Sequence, residues 1–213
     1  MNIKQFIQNL DVKVFVEIGM HFGIDTVDFR RMHPEARIVS FEPDPRNIQV
    51  IKQQGNDKIC ELYELALSNT NDSMDFYLSS GSCKGQLSDP LLTGNDWSAS
   101  SSLKKPTGHL NVYGWVTFPN KVKVQCSRLD DFEPLKNTTI DFMWVDVQGA
   151  EDLVFSCAQQ TLENTRYVYT EYSNKQLYED QLNLQEVVKL FPGFKVLRDY
   201  GGDVLLQNIN LAN

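Results

Sequence analysis

Residues 14–26 read VFVEIGMHFGIDT, and the reading of this stretch decides the fold. Val14–Ile18 is a β-branched and aromatic run of strand length. Gly19 and Gly23 come next, and residues 24–32 then carry apolar side chains at helical spacing. A strand that passes through glycine directly into a helix opens a βαβ unit. Working outward, residues 37–41 (RIVSF) give a second strand and residues 46–54 a second helix, with Ile48 and Ile51 on one face. Residues 61–67 begin a third strand. Strands and helices alternating at this spacing predict an α/β fold with a parallel sheet, and right-handed crossovers place helices on both of its faces.

The second half is read the same way. Residues 73–78 alternate like a strand, 121–126 and 140–145 (IDFMWV) are further strands, and 150–161 reads as one helix. Residues 167–171 (YVYTE) are a strand and 184–190 a helix that stops before Pro192-Gly193. Residues 194–197 and 204–206, joined through Gly201-Gly202, form an antiparallel hairpin. The expectation is one domain over residues 1–213, built on a mostly parallel seven-stranded sheet with an antiparallel C-terminal hairpin. Between the halves, residues 79–119 are rich in Ser, Gly, Pro and Asn and show no period, which marks a long functional loop. Its aromatic residues Trp97, Tyr113, Trp115 and Phe118 argue against disorder.

The balance of the chain narrows its class. A chain of 213 residues with 41% hydrophobic and 23% charged residues has the composition of an ordinary globular domain. A formal net charge of −8 with no basic cluster argues against duplex nucleic acid as the main partner. No apolar run reaches transmembrane length, and the first residues lack a signal-peptide pattern. Cys60, Cys83, Cys126 and Cys157 are scattered without a CxxC pair, so no zinc or redox motif is predicted and a cytoplasmic location is expected.

Chemistry begins at the glycine turn. Gly19 lets the chain turn sharply beside a ligand, and Gly23 allows close packing of helix on strand. The pattern is E-x-G-x-x-x-G, starting at Glu17, and His21 stands where a dinucleotide fingerprint has its second glycine. A pyrophosphate needs a more open cradle. S-adenosylmethionine (SAM) carries no phosphate, and its amino-acid end suits such a turn. Glu42 ends the second strand about twenty residues further on, where an acid accepts both ribose hydroxyls of an adenosine. Pro43 then fixes the exit from the strand. The alternative is that Glu17 and Glu42 are solvated acids and the glycines only turn the chain.

These segments resemble the FkbM-type SAM-dependent methyltransferases over nearly the whole chain. VFVEIGMHFGIDT resembles that family's first motif, IVSFEPDPRNIQVIKQ its second, and ELALSNTNDSMDFYL its third strand with the β-segment after it. SASSSLKKPTGHLNVYGWV is similar to a serine-rich loop with a downstream His, and VQCSRLDDF to a TLDDF-like segment. IDFMWVDVQGAEDLVFSCAQQTL is similar to the family's most specific block. The resemblance implies a Rossmann-like class I methyltransferase fold and methyl transfer from SAM, most often to an oxygen of a sugar or natural product. It implies that Glu17, Gly19 and Glu42 line the cofactor, that Ala66, Leu67 and Ser68 contact the adenine, and that Asp146 sits beside the sulfonium. Two departures stand out: Trp144 replaces a common Lys, and Gln148 replaces a common Glu.

Methylation of a hydroxyl requires alignment of oxygen, carbon and sulfur and removal of a proton. Asp146, His109 and Glu171 are the candidate bases. Asp146 ends a buried strand at the carboxyl edge of the sheet, with a helix N-cap as its structural alternative. His109 lies in the long loop, where a solvated surface residue is the alternative. His21 and Gly23 join the expected cofactor contacts, and Ser101, Ser102, His109, Tyr113 and Tyr172 are the expected acceptor contacts. A divalent metal on Asp146, Glu171 and Asp203 is not required by the spacing, and none is predicted. The partner is a small-molecule or glycan acceptor. Two alternatives remain open at this point: a nucleotide-sugar or NAD-type oxidoreductase, disfavoured by His21 and by the absence of a Tyr-x-x-x-Lys pair, and a non-catalytic SAM-binding module.

Overall fold

A computed structural model describes residues 2–82 and 96–211; Cys83 and residues 83–95 of the expected loop lie outside the described residues. The chain starts with α1 (Ile3–Gln8), capped by Asn2, whose side chain accepts from Gln5 N while the Gln5 side chain accepts from Asn2 N. Then come β1 (Val14–Ile18), α2 (Ile24–Met32), β2 (Arg37–Phe41) and α3 (Pro45–Gln54). In α3, Asp44 caps the N-terminus, a proline opens the helix and Gly55 ends it at φ +77°. The middle holds β3 (Glu61–Tyr63), β4 (Ala66–Leu67), β5 (Ser73–Gly81), α4 (His109–Val112) and β6 (Val116–Ser127). The last part comprises β7 (Ile140–Val145), α5 (Glu151–Phe155), α6 (Gln159–Glu163), β8 (Thr165–Glu171), α7 (Leu184–Lys189), β9 (Phe194–Asp199) and β10 (Asp203–Asn208).

Seven strands form the main sheet in the order β3-β2-β1-β7-β8-β10-β9. The first five run parallel, and β10 pairs antiparallel with both β8 and β9. Strand alternation sends Val16, Ile18, Val39, Met143, Val145 and Val168 to one face, where they pack with Val154, Phe155, Leu162, Val187 and Phe191. Phe15, Ile38, Phe142 and Leu205 go to the other face, against Ile7 of α1 and Phe29 of α2. Each fully buried Phe or Ile on these faces stabilises the fold by about 1.5–3 kcal/mol relative to exposure. The register aligns Ile18 with Phe41 on one side and with Val145 on the other. Residues 19, 42 and 146 therefore leave the sheet at one edge, at the crevice where the strand order reverses.

The structure departs from the sequence expectations in four places. Residues 61–67 are two strands: Leu65 N turns back onto Tyr63 O, and β4 leaves the main sheet to join a second sheet of order β4-β6-β5. Residues 150–161 are two helices, because the Asp130 carboxylate accepts from Gln160 N and Thr161 N and starts α6 afresh. Asp146 caps neither: α5 is preceded by Ala150, which makes no side-chain cap. The long loop is shorter than 79–119, since β5 runs to Gly81 and β6 begins at Val116. Pro119 is accommodated within β6 because it sits where the β5–β6 register shifts, a position that demands no ladder donor. Among the described residues no helix is long and apolar enough to cross a membrane.

Candidate active site

The edge where β1, β2, β4 and β7 end encloses a cavity of about 320 Å³. Its floor is the glycine turn. Gly19 N and Met20 N both donate to Phe41 O at 3.0 Å, and Gly23 N donates to Met20 O at 2.9 Å. Gly19 has φ +92°, and a Cβ added there would lie 1.8 Å from the backbone oxygen of Asp146. Only glycine lets β1 and β7 approach this closely. His21 adopts φ +52°, which aims its N–H at Glu42 Oε2, 2.7 Å away.

One end of the cavity is built around Glu42. Its Oε1 accepts from Asp44 N (2.8 Å) and Asn47 Nδ2 (3.2 Å). Burial, with the nearby Asp44 charge adding to it, pushes its carboxyl up to about 8 despite these donors. Asn47 also lines the cavity, and its buried Oδ1 has no hydrogen-bond partner. Ala66, Leu67, Phe76 and Leu103 supply an apolar wall beside this pair. A flat ring against that wall, with hydroxyl groups donating to Glu42 and a further donor to Asn47 Oδ1, satisfies every group present.

The opposite end holds Asp146. Its Oδ1 accepts from Gln148 Nε2 at 2.7 Å, and the same nitrogen lies 3.2 Å from Glu171 Oε2. Desolvation raises the Asp146 carboxyl to about 6, and burial with the Asp146 charge pushes Glu171 well above its ordinary value. Burial also lifts Glu151, which accepts from Gly149 N, to about 7. Asp25, the third acid on the cavity wall, pairs with Lys4 at 2.9 Å. Among the described residues that line the cavity, Asp25, Glu42 and Asp146 are acidic and none is Lys or Arg.

Residues 98–103 form a serine-rich strap over the cavity. Ser98 Oγ lies 3.0 Å from His21 Nε2, and Ser101 Oγ donates to Ser98 O while standing 3.2 Å from Asp44 Oδ2. Ser102 Oγ donates to Gln148 O at 2.8 Å, and Tyr178 OH donates to Ser100 O at 2.7 Å. The strap thus ties the Glu42 end to the Asp146 end.

The Methyltransferase FkbM domain matches residues 17–203. The chain belongs to the FkbM methyltransferase family. A curated relative, the 2-O-methyltransferase NoeI of Sinorhizobium fredii, is 37% identical over 204 residues, spanning 93% of this chain and 80% of that protein. Two solved structures share the fold. The methyltransferase FkbM of Methylobacillus flagellatus superposes with a TM-score of 0.53 at 12% identity, over 92% of this chain and 44% of that longer one. The O-methyltransferase TomG of Streptomyces achromogenes, solved in complex with SAM, gives 0.50 at 11% identity, over 96% and 77%. The sheet is the Rossmann-like class I methyltransferase sheet.

In this FkbM fold, the cavity gathers Gly19, His21, Glu42, Ala66, Leu67, Ser101 and Asp146 from among the residues singled out in the sequence. Others stand elsewhere. Glu17 is sealed beneath the turn, its Oε2 accepting from Thr26 Oγ1 (2.6 Å) and Ser40 Oγ (2.8 Å), which ties α2 to β1 and β2. Gly23 caps α2 at φ +78°, Ser68 N donates to Ser127 O, and Ser102 braces Gln148 from behind. His109 is no surface residue: it is 2% exposed, packed against Tyr113, Phe118 and Tyr178, and burial lowers its pKa, so its imidazole is held neutral. Tyr113 follows α4 and is exposed, whereas Tyr172 is buried and donates to Asp199 Oδ1 at 2.7 Å. Glu171 reaches the site only through Gln148 and Asp146. Reading the sequence alone missed Asn47, Ser98, Phe76, Trp144 as a cavity wall, and Tyr178. Asn47 was legible in principle, five residues beyond Glu42 on the first turn of α3; Tyr178 was not, because it approaches from a loop far along the chain. Among the described residues, no three His, Cys, Asp or Glu side chains gather to hold a metal.

Proposed function

We propose that this chain is a SAM-dependent O-methyltransferase whose acceptor is a hydroxyl of a sugar, glycan or small hydroxylated metabolite. The observation that carries the reading is the lining of the cavity: three carboxyl side chains, Asp146 among them mostly ionised at neutral pH, and no Lys or Arg among its described residues. SAM bears a sulfonium and an ammonium against one carboxylate, so an acidic pocket attracts it. A dinucleotide or nucleotide sugar brings a pyrophosphate into the same field and is repelled, which sets the oxidoreductase alternative aside. The residues also fit the group: Gly19 provides a bare backbone cradle, and Asn47 Oδ1 is an acceptor still without a donor. The 2-O-methyltransferase relative supports oxygen as the atom methylated.

When bound, SAM supplies an electrophilic methyl group on its sulfonium. Glu42 and Asn47 would take the ribose side, and the wall of Ala66, Leu67 and Phe76 the adenine. Asp146 is the one candidate base that lines the cavity. With its carboxyl near 6 it is mostly ionised at neutral pH, yet basic enough to receive the acceptor hydroxyl proton as the new O–C bond forms. The strap over the cavity excludes water and orients the acceptor. Calorimetric titration with SAM and its demethylated product tests binding, and mass-shift screening of hydroxylated acceptors tests transfer. Neither heat nor thermal shift with SAM ends the proposal. Asp146→Asn is expected to lower transfer by at least about a hundredfold while SAM still binds; undiminished transfer removes Asp146 as the base. Binding of SAM with transfer to no acceptor would instead mark a binding module.

A further inference from the structure

We propose that Glu171 is a positioning residue that keeps the proton of an acid–carboxylate pair with Asp146, and that Gln148 decides which member is charged. The inference rests on the reading of Asp146 as the group that receives the acceptor proton.

The geometry is built around one amide. Gln148 Nε2 offers two hydrogens and stands between two carboxyls, at 2.7 Å from Asp146 Oδ1 and 3.2 Å from Glu171 Oε2. The amide is held in that orientation from its other side. Tyr178 OH lies 3.4 Å from Gln148 Oε1, and Ser102 Oγ donates to the Gln148 backbone oxygen. Gln148 itself has φ +53°, a strained conformation for a residue with a side chain. Gly149 follows at φ +87° against the Tyr178 ring, where a Cβ would meet Cδ2 at 2.9 Å. Strain of this kind persists only where the surroundings over-determine it, and here it fixes the amide between the carboxyls.

Two anions cannot share this place. Asp203 lies opposite Glu171 in the β10–β8 register, Glu151 comes from α5 and Asp25 from α2, and each adds negative charge. The neighbouring Tyr169 and Tyr178 hydroxyls are themselves held protonated by burial. The charges that act most strongly on the pair are all acidic, and burial adds to them, so one carboxyl retains a proton. A donor hydrogen bond favours the charged form, and the shorter one goes to Asp146. Asp146 also faces the cavity, whereas Glu171 does not line it. The proton therefore stays on Glu171, which hydrogen-bonds Asp146, and the anion is presented to the acceptor. With Gln148 in place of a third acid, the pair keeps its asymmetry.

The test is a carboxyl-carbon NMR titration of the full chain, with the two signals assigned through Asp146→Asn and Glu171→Gln. Asp146 is expected to ionise with a midpoint near 6 while Glu171 remains protonated to higher pH. Glu171→Gln, which mimics the protonated acid, is expected to leave the Asp146 midpoint within about half a unit, and Gln148→Glu to raise it. Ionisation of Glu171 before Asp146, or an Asp146 midpoint lowered by about one unit or more in Glu171→Gln, overturns the assignment. The near-isosteric Glu171→Gln decides alone if Gln148→Glu does not fold. SAM calorimetry on the same proteins separates the two readings: SAM binding with a reversed titration order sinks only the pair, and absent SAM binding with the expected order sinks only the function.

Discussion

Glu17 and Glu42 stand at the ends of neighbouring parallel strands, both are almost wholly buried, and burial pushes both carboxyls up to about 8. Their surroundings differ. Glu17 is the fourth residue of β1 and points beneath α2, where the Thr26 and Ser40 hydroxyls close it off. Glu42 is one residue beyond β2, held by two backbone N–H groups and Asn47, and opens on the cavity. A raised pKa thus marks both a structural buckle and a ligand-facing acid, and only what the side chain faces tells them apart. Parity puts both on one side of the sheet, Glu17 beside Ser40 and Glu42 two residues further on, but Glu42 lies past the last residue of β2, at the edge that opens on the cavity.

The most severe way to break the comparison is to remove the turn that serves both acids. Gly19→Ala forces a Cβ onto the Asp146 backbone oxygen at a positive φ, and is expected to cost about 3–5 kcal/mol in chemical denaturation. A loss below about 1 kcal/mol means that β1 and β7 can part without penalty. Next comes Glu42→Ala, expected to weaken SAM binding by about tenfold or more through loss of the hydrogen bonds its carboxyl accepts. Glu17→Gln should leave SAM affinity within about twofold by the same calorimetry, having no cavity contact to lose. Equal losses in the two variants erase the distinction.

The smallest effect is a pH slope. The folded-state pKa of Glu17 is raised from 4.5 to about 8, so between those values the folded chain holds more protons than the unfolded one. The stability contributed by neutral Glu17 is complete below 4.5 and is lost as pH rises to about 8. Thermal denaturation of the ligand-free protein should therefore show falling stability across that window. Glu17→Gln should flatten the fall without abolishing it, since Glu42 titrates over the same range. An unchanged slope means Glu17 is ionised in the folded state.

Much of this was legible in the sequence where structure is local. The strand–glycine–helix opening, the FEPD acid and the VDVQG turn were recognised from adjacent residues, and Gly19, Glu42 and Asp146 meet because parallel strands in register end at one edge. Glu17 was read with them because it is two residues from Gly19, and proximity in sequence conceals that Thr26 and Ser40 seal it away from the cavity. His109 looked like a loop residue because its burial comes from Tyr178 and Phe118, which lie distant in sequence. Residues 150–161 looked like one helix because the carboxylate that restarts it, Asp130, belongs to another segment.

The sequence by itself determined the parallel sheet, the glycine turn and the family, because backbone conformation and side-chain period are properties of neighbouring residues. The tertiary structure alone decided that the cavity is acidic and free of lysine and arginine among its described lining residues. It alone brought Asn47 and the strap to that cavity, set Tyr178 against the strap, and placed one glutamine between two carboxyls. Charge and hydrogen bonding act through space, so they are set by which segments the fold brings within a few ångströms of one another.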